Sequence, residues 1–313
     1  MNDATRFRVT RQWRLHSRHL TLGARTLVMG VVNITPDSFS DGGLYLEPER
    51  AVEHALRLLD DGADLLDLGA ESTRPGSHAG DPQAAAVSGD EEQARLLPVL
   101  EEVLKARPEA VISVDTYKSA TARAAVAAGA EIVNDVSGFT WDASMAQVCS
   151  ELHCGVVLMH TRGRPEEWRG QPLLDGEPLL AMVLEGLQTS LTTAAEAGVS
   201  EDAVVLDPGY GFGKRFEENY SLLARQARLL GLGRPLLAGL SRKSFLSRTL
   251  LKVPDSAERF ADGQVAEASR ETAGIAALVT AILHGASIVR VHSVRPAIEA
   301  AAIADAVLAG CEH

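Results

Sequence analysis

The feature that most constrains this chain is an alternation carried along nearly its whole length. Short apolar runs rich in Val, Ile and Leu are each followed by a longer amphipathic stretch and then by another apolar run. The runs are TLVMGVV (26–32), ADLLDLG (63–69), AVISVD (110–115), EIVND (131–135), GVVLMH (155–160), AVVLD (203–207), RPLLAGL (234–240) and SIVRVH (287–292). Helix-like stretches such as EPERAVEHALRLLDDG, SATARAAVAAG and EPLLAMVLEGLQTSLTTAAEAG separate them. Gly62, Gly129, Gly198 and Gly285 stand just ahead of the next run, as helix C-caps do. Strand–helix units repeated in this way predict a parallel sheet closed into a (β/α)8 TIM barrel. The alternative is an open doubly wound sheet, but no phosphate-binding glycine fingerprint follows the first run.

The ends of the runs favour the barrel. Nearly every run delivers a polar residue at its C-terminal end: Asn33, Glu71, Asp115, Asn134, His160, Asp207, Arg242 or Lys243, and His292. Each alone is readable as a strand terminator. In a barrel those ends converge on one mouth, where active sites are built.

The chain has 313 residues, 46% of them hydrophobic and 23% charged, a balance that fits one barrel domain spanning 1–313. The first 25 residues, with RFRVTRQWRL and HLTLGART, predict a β-hairpin over the barrel bottom. No apolar run approaches the ~18 residues that cross a bilayer, and the N-terminus lacks the apolar core of a secretory signal. Three unpaired-looking cysteines, Cys149, Cys154 and Cys311, suit a reducing cytoplasm. A net charge of -12 argues against nucleic acid as the main partner, while a local cluster of Arg and Lys still admits an anionic small substrate. The small, polar segment PGSHAGDPQAAAVSGDEEQ (75–93) predicts a mobile loop.

Several short segments together carry a resemblance. NITPDSFSDGG (33–43), ESTRPG (71–76), VDTYK (114–118), NDVSG (134–138), LMH (158–160), DPGYGFGK (207–214), SRKSF (241–245) and RVH (290–292) resemble dihydropteroate synthases, in the same order. The resemblance covers about residues 27 to 295. It implies a TIM-barrel enzyme of folate synthesis that joins 6-hydroxymethyl-7,8-dihydropterin pyrophosphate to p-aminobenzoate, with dihydropteroate and pyrophosphate as products.

On that resemblance each segment acquires a role. Asp207 accepts the adjacent N–H and amino donors of the pterin edge, Asp115 and Asn134 complete the ring's hydrogen bonds, and Lys243 donates to its carbonyl side. Competing readings are a turn or N-cap role for Asp207 and an N-cap role for Asp115. Met159 and Phe212 line the pterin slot or are plain barrel core, His160 braces the pocket, and Lys214 tunes loop position. Arg290 and His292, two apart on one strand, share a face and serve the pyrophosphate with Arg74. The competing reading of Arg290 is a structural charge. The family resemblance gives Asn33 the pyrophosphate and its Mg²⁺, a hard cation that suits an amide oxygen. The p-aminobenzoate carboxylate sits near Ser244 at a helix start, with Thr73, Arg74, Pro75 and Phe39 around the arylamine. Asp41 faces positive charge developing as pyrophosphate departs, in an SN1-like displacement; a direct in-line displacement stays open.

Departures from the pattern are Ala70 where the family has Gly, Ser293 where it has Asp, and longer stretches at 76–91 and 246–272. Alternatives from other classes are a methyltetrahydrofolate-dependent methyltransferase and a catalytically silent pterin-binding paralogue. The resemblance also implies a homodimer and a site open to sulfonamides, which imitate p-aminobenzoate.

Overall fold

The computed structural model describes residues 8–34, 47–72, 79, 87–254, 260 and 264–310. The chain opens with strands β1 (Arg11–Arg14) and β2 (His19–Leu22), then runs β3 (Leu27–Asn33), α1 (Glu47–Asp60), β4 (Leu65–Gly69), α2 (Gly89–Ala106), β5 (Ile112–Asp115) and α3 (Ser119–Ala127). It continues with β6 (Ile132–Asp135), α4 (Met145–Leu152), β7 (Gly155–Met159), α5 (Gly176–Glu196), β8 (Val204–Asp207) and α6 (Glu217–Arg225). The last elements are β9 (Leu236–Ala238), α7 (Ser244–Leu250), α8 (Glu267–Leu283), β10 (Ala286–Val291) and α9 (Val294–Gly310). Strands β3 to β10 close into a parallel barrel, β10 pairing with both β3 and β9. All the apolar runs of the sequence therefore become barrel strands.

The alternation of side chains along each strand sorts the core into two bodies. Outward residues such as Val28, Leu66, Leu68, Val114, Val156, Leu206 and Val289 pack beneath the helices. Inward residues Met29, Leu65, Val111, Ile132, Val157, Val205, Leu237 and Ile288 fill the barrel floor and meet Trp13, Leu15 and Leu22 of the β1–β2 hairpin. The hairpin is antiparallel and sits under the barrel as the sequence predicts. The Trp13 indole N–H donates to the Ala203 carbonyl at 2.8 Å. The buried Glu131 carboxylate accepts the Ser17 N–H at 2.8 Å and Arg18 Nε at 3.0 Å.

Gly62, Gly129, Gly198 and Gly285 all have positive φ, the left-handed C-cap expected of them. One loop boundary differs from expectation. Helix α2 already begins at Gly89, inside the stretch read as loop, because Ser88 Oγ accepts the Glu91 N–H at 3.2 Å and three acids follow at the helix's positive end.

Candidate active site

One two-residue step beyond the apolar floor, the inward positions of the same strands and their ends change character. They are Val31, Asp67, Ser113, Asn134, Met159, Asp207, Gly239 and Arg290. Asp67 is the hub. It is fully buried on β4, and its Oδ1 accepts the Ser113 hydroxyl at 2.7 Å. Its Oδ2 accepts Asn134 Nδ2 at 3.0 Å and Arg290 Nε at 2.6 Å. Arg290 also donates from Nη2 to Asp115 Oδ2 at 2.9 Å, so two carboxylates share one guanidinium. Burial pushes the Asp115 carboxyl up to about 7, Arg290 pulling against it and Asp67 adding to it. Asp115 is not a helix cap: Lys118 occupies that position ahead of α3, and Asp142 Oδ2 accepts the Ser119 N–H at 2.8 Å.

The opposite wall is built on the ends of β7, β8 and β9. Asp207 Oδ1 accepts the Gly209 N–H at 2.7 Å, so the turn role exists but occupies one oxygen. Its Oδ2 makes no hydrogen bond among the described residues. Burial raises the Asp207 carboxyl above its usual range, against the pull of Gly209 and Lys243. Lys243 Nζ lies 4.1 Å from the centroid of the Phe212 ring, and burial lowers its pKa to about 8. Phe212 stands edge-on to Trp168 at 5.4 Å and packs on an apolar patch containing Met159, Tyr117 and Val136. Met159 and Phe212 thus stand at the mouth rather than in the main core.

Lys214 and His160 support this wall from behind. The buried Lys214 ammonium donates to the carbonyls of His160 at 2.8 Å, Gly209 at 2.9 Å and Phe212 at 3.3 Å. Gly209 has φ +69°, and a Cβ there would lie 2.0 Å from the His160 carbonyl oxygen, so only glycine lets the loop approach. The His160 ring packs on Gly186 of α5 and is held neutral by burial and then by Lys214.

Toward the rim, Asn33 ends β3 half-buried and in register with Gly69, which is in register with Asp115. His292 Nδ1 lies 3.1 Å from Ser241 Oγ, and Ser244 is the exposed first residue of α7. Lys118 pairs with Glu71 and with the buried Glu92. Phe39, Asp41, Thr73, Arg74 and Pro75 lie outside the described residues. The sequence reading does not single out Asp67, Ser113 or Ser241. Counting two residues on from each inward apolar residue finds the first two, because the period of a strand is fixed.

The geometry can now be set beside known proteins. The family model described as "Pterin binding enzyme" matches residues 29–292, the span that runs from Met29 of β3 through β10 and contains every polar group of the mouth. The chain belongs to the pterin-binding enzymes. A dihydropteroate synthase of Bacillus subtilis (strain 168) is 41% identical to this pterin-binding enzyme over 289 residues, covering 92% of this chain and 91% of that one. A Xanthomonas albilineans dihydropteroate synthase solved with 4-aminobenzoic acid superposes with a TM-score of 0.82 at 38% identity, covering 96% of this chain and 99% of that one. The Xanthomonas albilineans enzyme in complex with 7,8-dihydropteroate has a TM-score of 0.77 at 37% identity, with 95% and 99% covered. In this pterin-binding enzyme the hydrogen-bonding set faces one mouth, and no helix among the described residues is long and apolar enough to cross a membrane.

Proposed function

We propose that this chain condenses 6-hydroxymethyl-7,8-dihydropterin pyrophosphate with p-aminobenzoate, releasing 7,8-dihydropteroate and pyrophosphate. The observation that carries the reading is the composition of the mouth. Carboxylate oxygens of Asp207 and Asp115 and the amide of Asn134 surround a site whose nearby ammonium is Lys243. A reduced aminopterin offers several N–H donors and one carbonyl, so it fits acceptors on one side and a cation on the other. Phe212 and Met159 give the flat ring an apolar wall. The Bacillus subtilis and Xanthomonas albilineans relatives are dihydropteroate synthases, the latter solved with 4-aminobenzoic acid and also with 7,8-dihydropteroate.

In the reaction the methylene C–O bond breaks, and the electron pair leaves with pyrophosphate. The arylamine nitrogen then bonds to the same carbon and releases its proton to solvent or to pyrophosphate. Arg290 and His292 supply positive or hydrogen-bonding company for the leaving group, with Arg74 joining them. Phe39, Thr73, Pro75 and Ser244 enclose the arylamine, and Asp41 faces the cationic carbon. The donor chemistry at the rim fits a hard cation. No group of three or more His, Cys, Asp or Glu among the described residues is arranged to hold a metal, whereas Asn33 offers an amide oxygen. Asn33 would hold a Mg²⁺ ion through its amide oxygen, and the ion would supply charge neutralisation for the departing pyrophosphate. A cytoplasmic homodimer, with the exposed Ile303 and Val307 of α9 in the contact, completes the proposal.

The test is incubation of the full chain with the pterin pyrophosphate, p-aminobenzoate and Mg²⁺. Pyrophosphate release in step with p-aminobenzoate consumption is expected, and a sulfonamide should compete with p-aminobenzoate alone. A methyltransferase or a silent paralogue releases no pyrophosphate, and that result would overturn the reading.

A further inference from the structure

We propose that Asp67 is the positioning residue of the heterocycle pocket, fixing which atom of Asn134 and which edge of Arg290 face the ligand. The inference rests on the pterin reading of the pocket and adds a residue to it that touches no substrate. Asp67 lies in the mouth layer, fully buried, with three partners: Ser113 Oγ, Asn134 Nδ2 and Arg290 Nε. An ionised carboxylate only accepts hydrogen bonds. Asn134 must therefore turn its amino group toward Asp67, which leaves its carbonyl oxygen for a ligand N–H. An uncommitted amide would present either atom, and the wrong one opposes a donor with a donor.

The same oxygen fixes Arg290. Nε is committed to Asp67 and Nη2 to Asp115, while Nη1 makes no hydrogen bond among the described residues. The guanidinium plane is thereby set by two carboxylates from two strands, β4 and β5, and three of its five N–H donors are left uncommitted among the described residues. Ser113 completes the arrangement by satisfying the second Asp67 oxygen. A buried aspartate that served only to neutralise Arg290 would need neither the amide nor the hydroxyl, and Asp115 already provides a carboxylate.

The experiment uses the full chain carrying Asp67→Asn or Asp67→Ala, with far-UV circular dichroism as the check on folding. Asp67→Asn can keep its carbonyl toward Asn134 and Arg290 and turn its amino group to the Ser113 hydroxyl. Asp67→Ala removes the acceptor. Calorimetric titration with pteroic acid should show an affinity loss of about tenfold or more for Asp67→Ala, and a clearly smaller one for Asp67→Asn. The second readout is the acid limb of kcat/KM for the pterin, set by Asp115. Asp115 is faced by Arg290 from β10, Asp67 from β4, Glu92 from α2 and Asp135 from β6. Loss of the Asp67 charge should move that limb to lower pH in both variants, whereas a role through charge alone would weaken pteroic acid binding equally in Asp67→Asn and Asp67→Ala. Equal pteroic acid affinity in wild type and Asp67→Ala, or an unmoved limb in Asp67→Asn, would overturn the proposal. Should Asp67→Ala fail to fold, Asp67→Val replaces it in the same titration, and equal affinity losses in it and Asp67→Asn would overturn the proposal. If the wild-type chain itself does not bind pteroic acid, the reading of the pocket falls and this inference with it.

Discussion

The floor and the mouth of the barrel are built on the same strands, two residues apart, and they obey different rules. On the floor the inward residues are all aliphatic or Met, and the hairpin seals them with Trp13, Leu15 and Leu22. At the mouth the next inward residues include Asp67, Asn134, Asp207 and Arg290. Burying an aliphatic side chain stabilises a fold by about 1.5–3 kcal/mol, whereas a buried ion pair roughly breaks even against its desolvation. The floor therefore accounts for stability. The mouth layer, with two carboxylates on one guanidinium and Asp207 beside it, adds little to stability, and the proposed function gives it a binding role.

That contrast can be broken at either end. The largest effect is expected from Trp13→Ala, which removes the plug and its hydrogen bond to Ala203. Chemical denaturation should show a loss of about 3–5 kcal/mol, with pteroic acid affinity of the folded protein unchanged. A parallel loss of affinity would mean that floor and mouth are coupled. Asp207→Asn should do the reverse. The new amide keeps its oxygen on the Gly209 N–H and turns its amino group to the pocket, so pterin affinity should fall by more than about tenfold, or about 1.4 kcal/mol. The denaturation midpoint should barely move.

The mouth should also carry a pH signature that the floor lacks. On the proposed pterin reading, binding needs Asp115 ionised and Lys243 protonated. Burial raises the first to about 7 and lowers the second to about 8. The rate kcat/KM for the pterin should therefore fall as pH drops below the Asp115 value and again as it rises above that of Lys243. A profile flat from pH 5 to 9 would remove both groups from the site. The smallest effect is expected from Ile288→Val, on the same strand as Arg290 and two residues before it. It should cost about 0.5–1.5 kcal/mol of stability and leave both kinetic constants unchanged. A kinetic change there would show that β10 does not divide as its alternation implies.

The barrel was legible because strand period, helix length and glycine caps all pointed to one architecture. Asp115, Asn134, Asp207, Lys243 and Arg290 stood at strand ends, where an apolar run breaks into polarity, and the fold gathers them. Asp67 was hidden by its surroundings: in LLDLG it is flanked by leucines that face the helices, and nothing local distinguishes an inward aspartate from an outward one. Only the register between strands shows that it lies beside Arg290, more than two hundred residues away in sequence. The start of α2 was misread for a related reason, since the acids of its first turn resemble loop composition until Ser88 is seen to cap them.

The central claim is that the mouth layer, and not some other surface, receives the heterocycle. A crystal structure of the chain with pteroic acid tests it most directly. The account predicts the ring edge on Asp207 and on the Asn134 carbonyl, with Lys243 Nζ about 3 Å from the ring carbonyl. A bound ring from which Asp207 and Lys243 point away would contradict it.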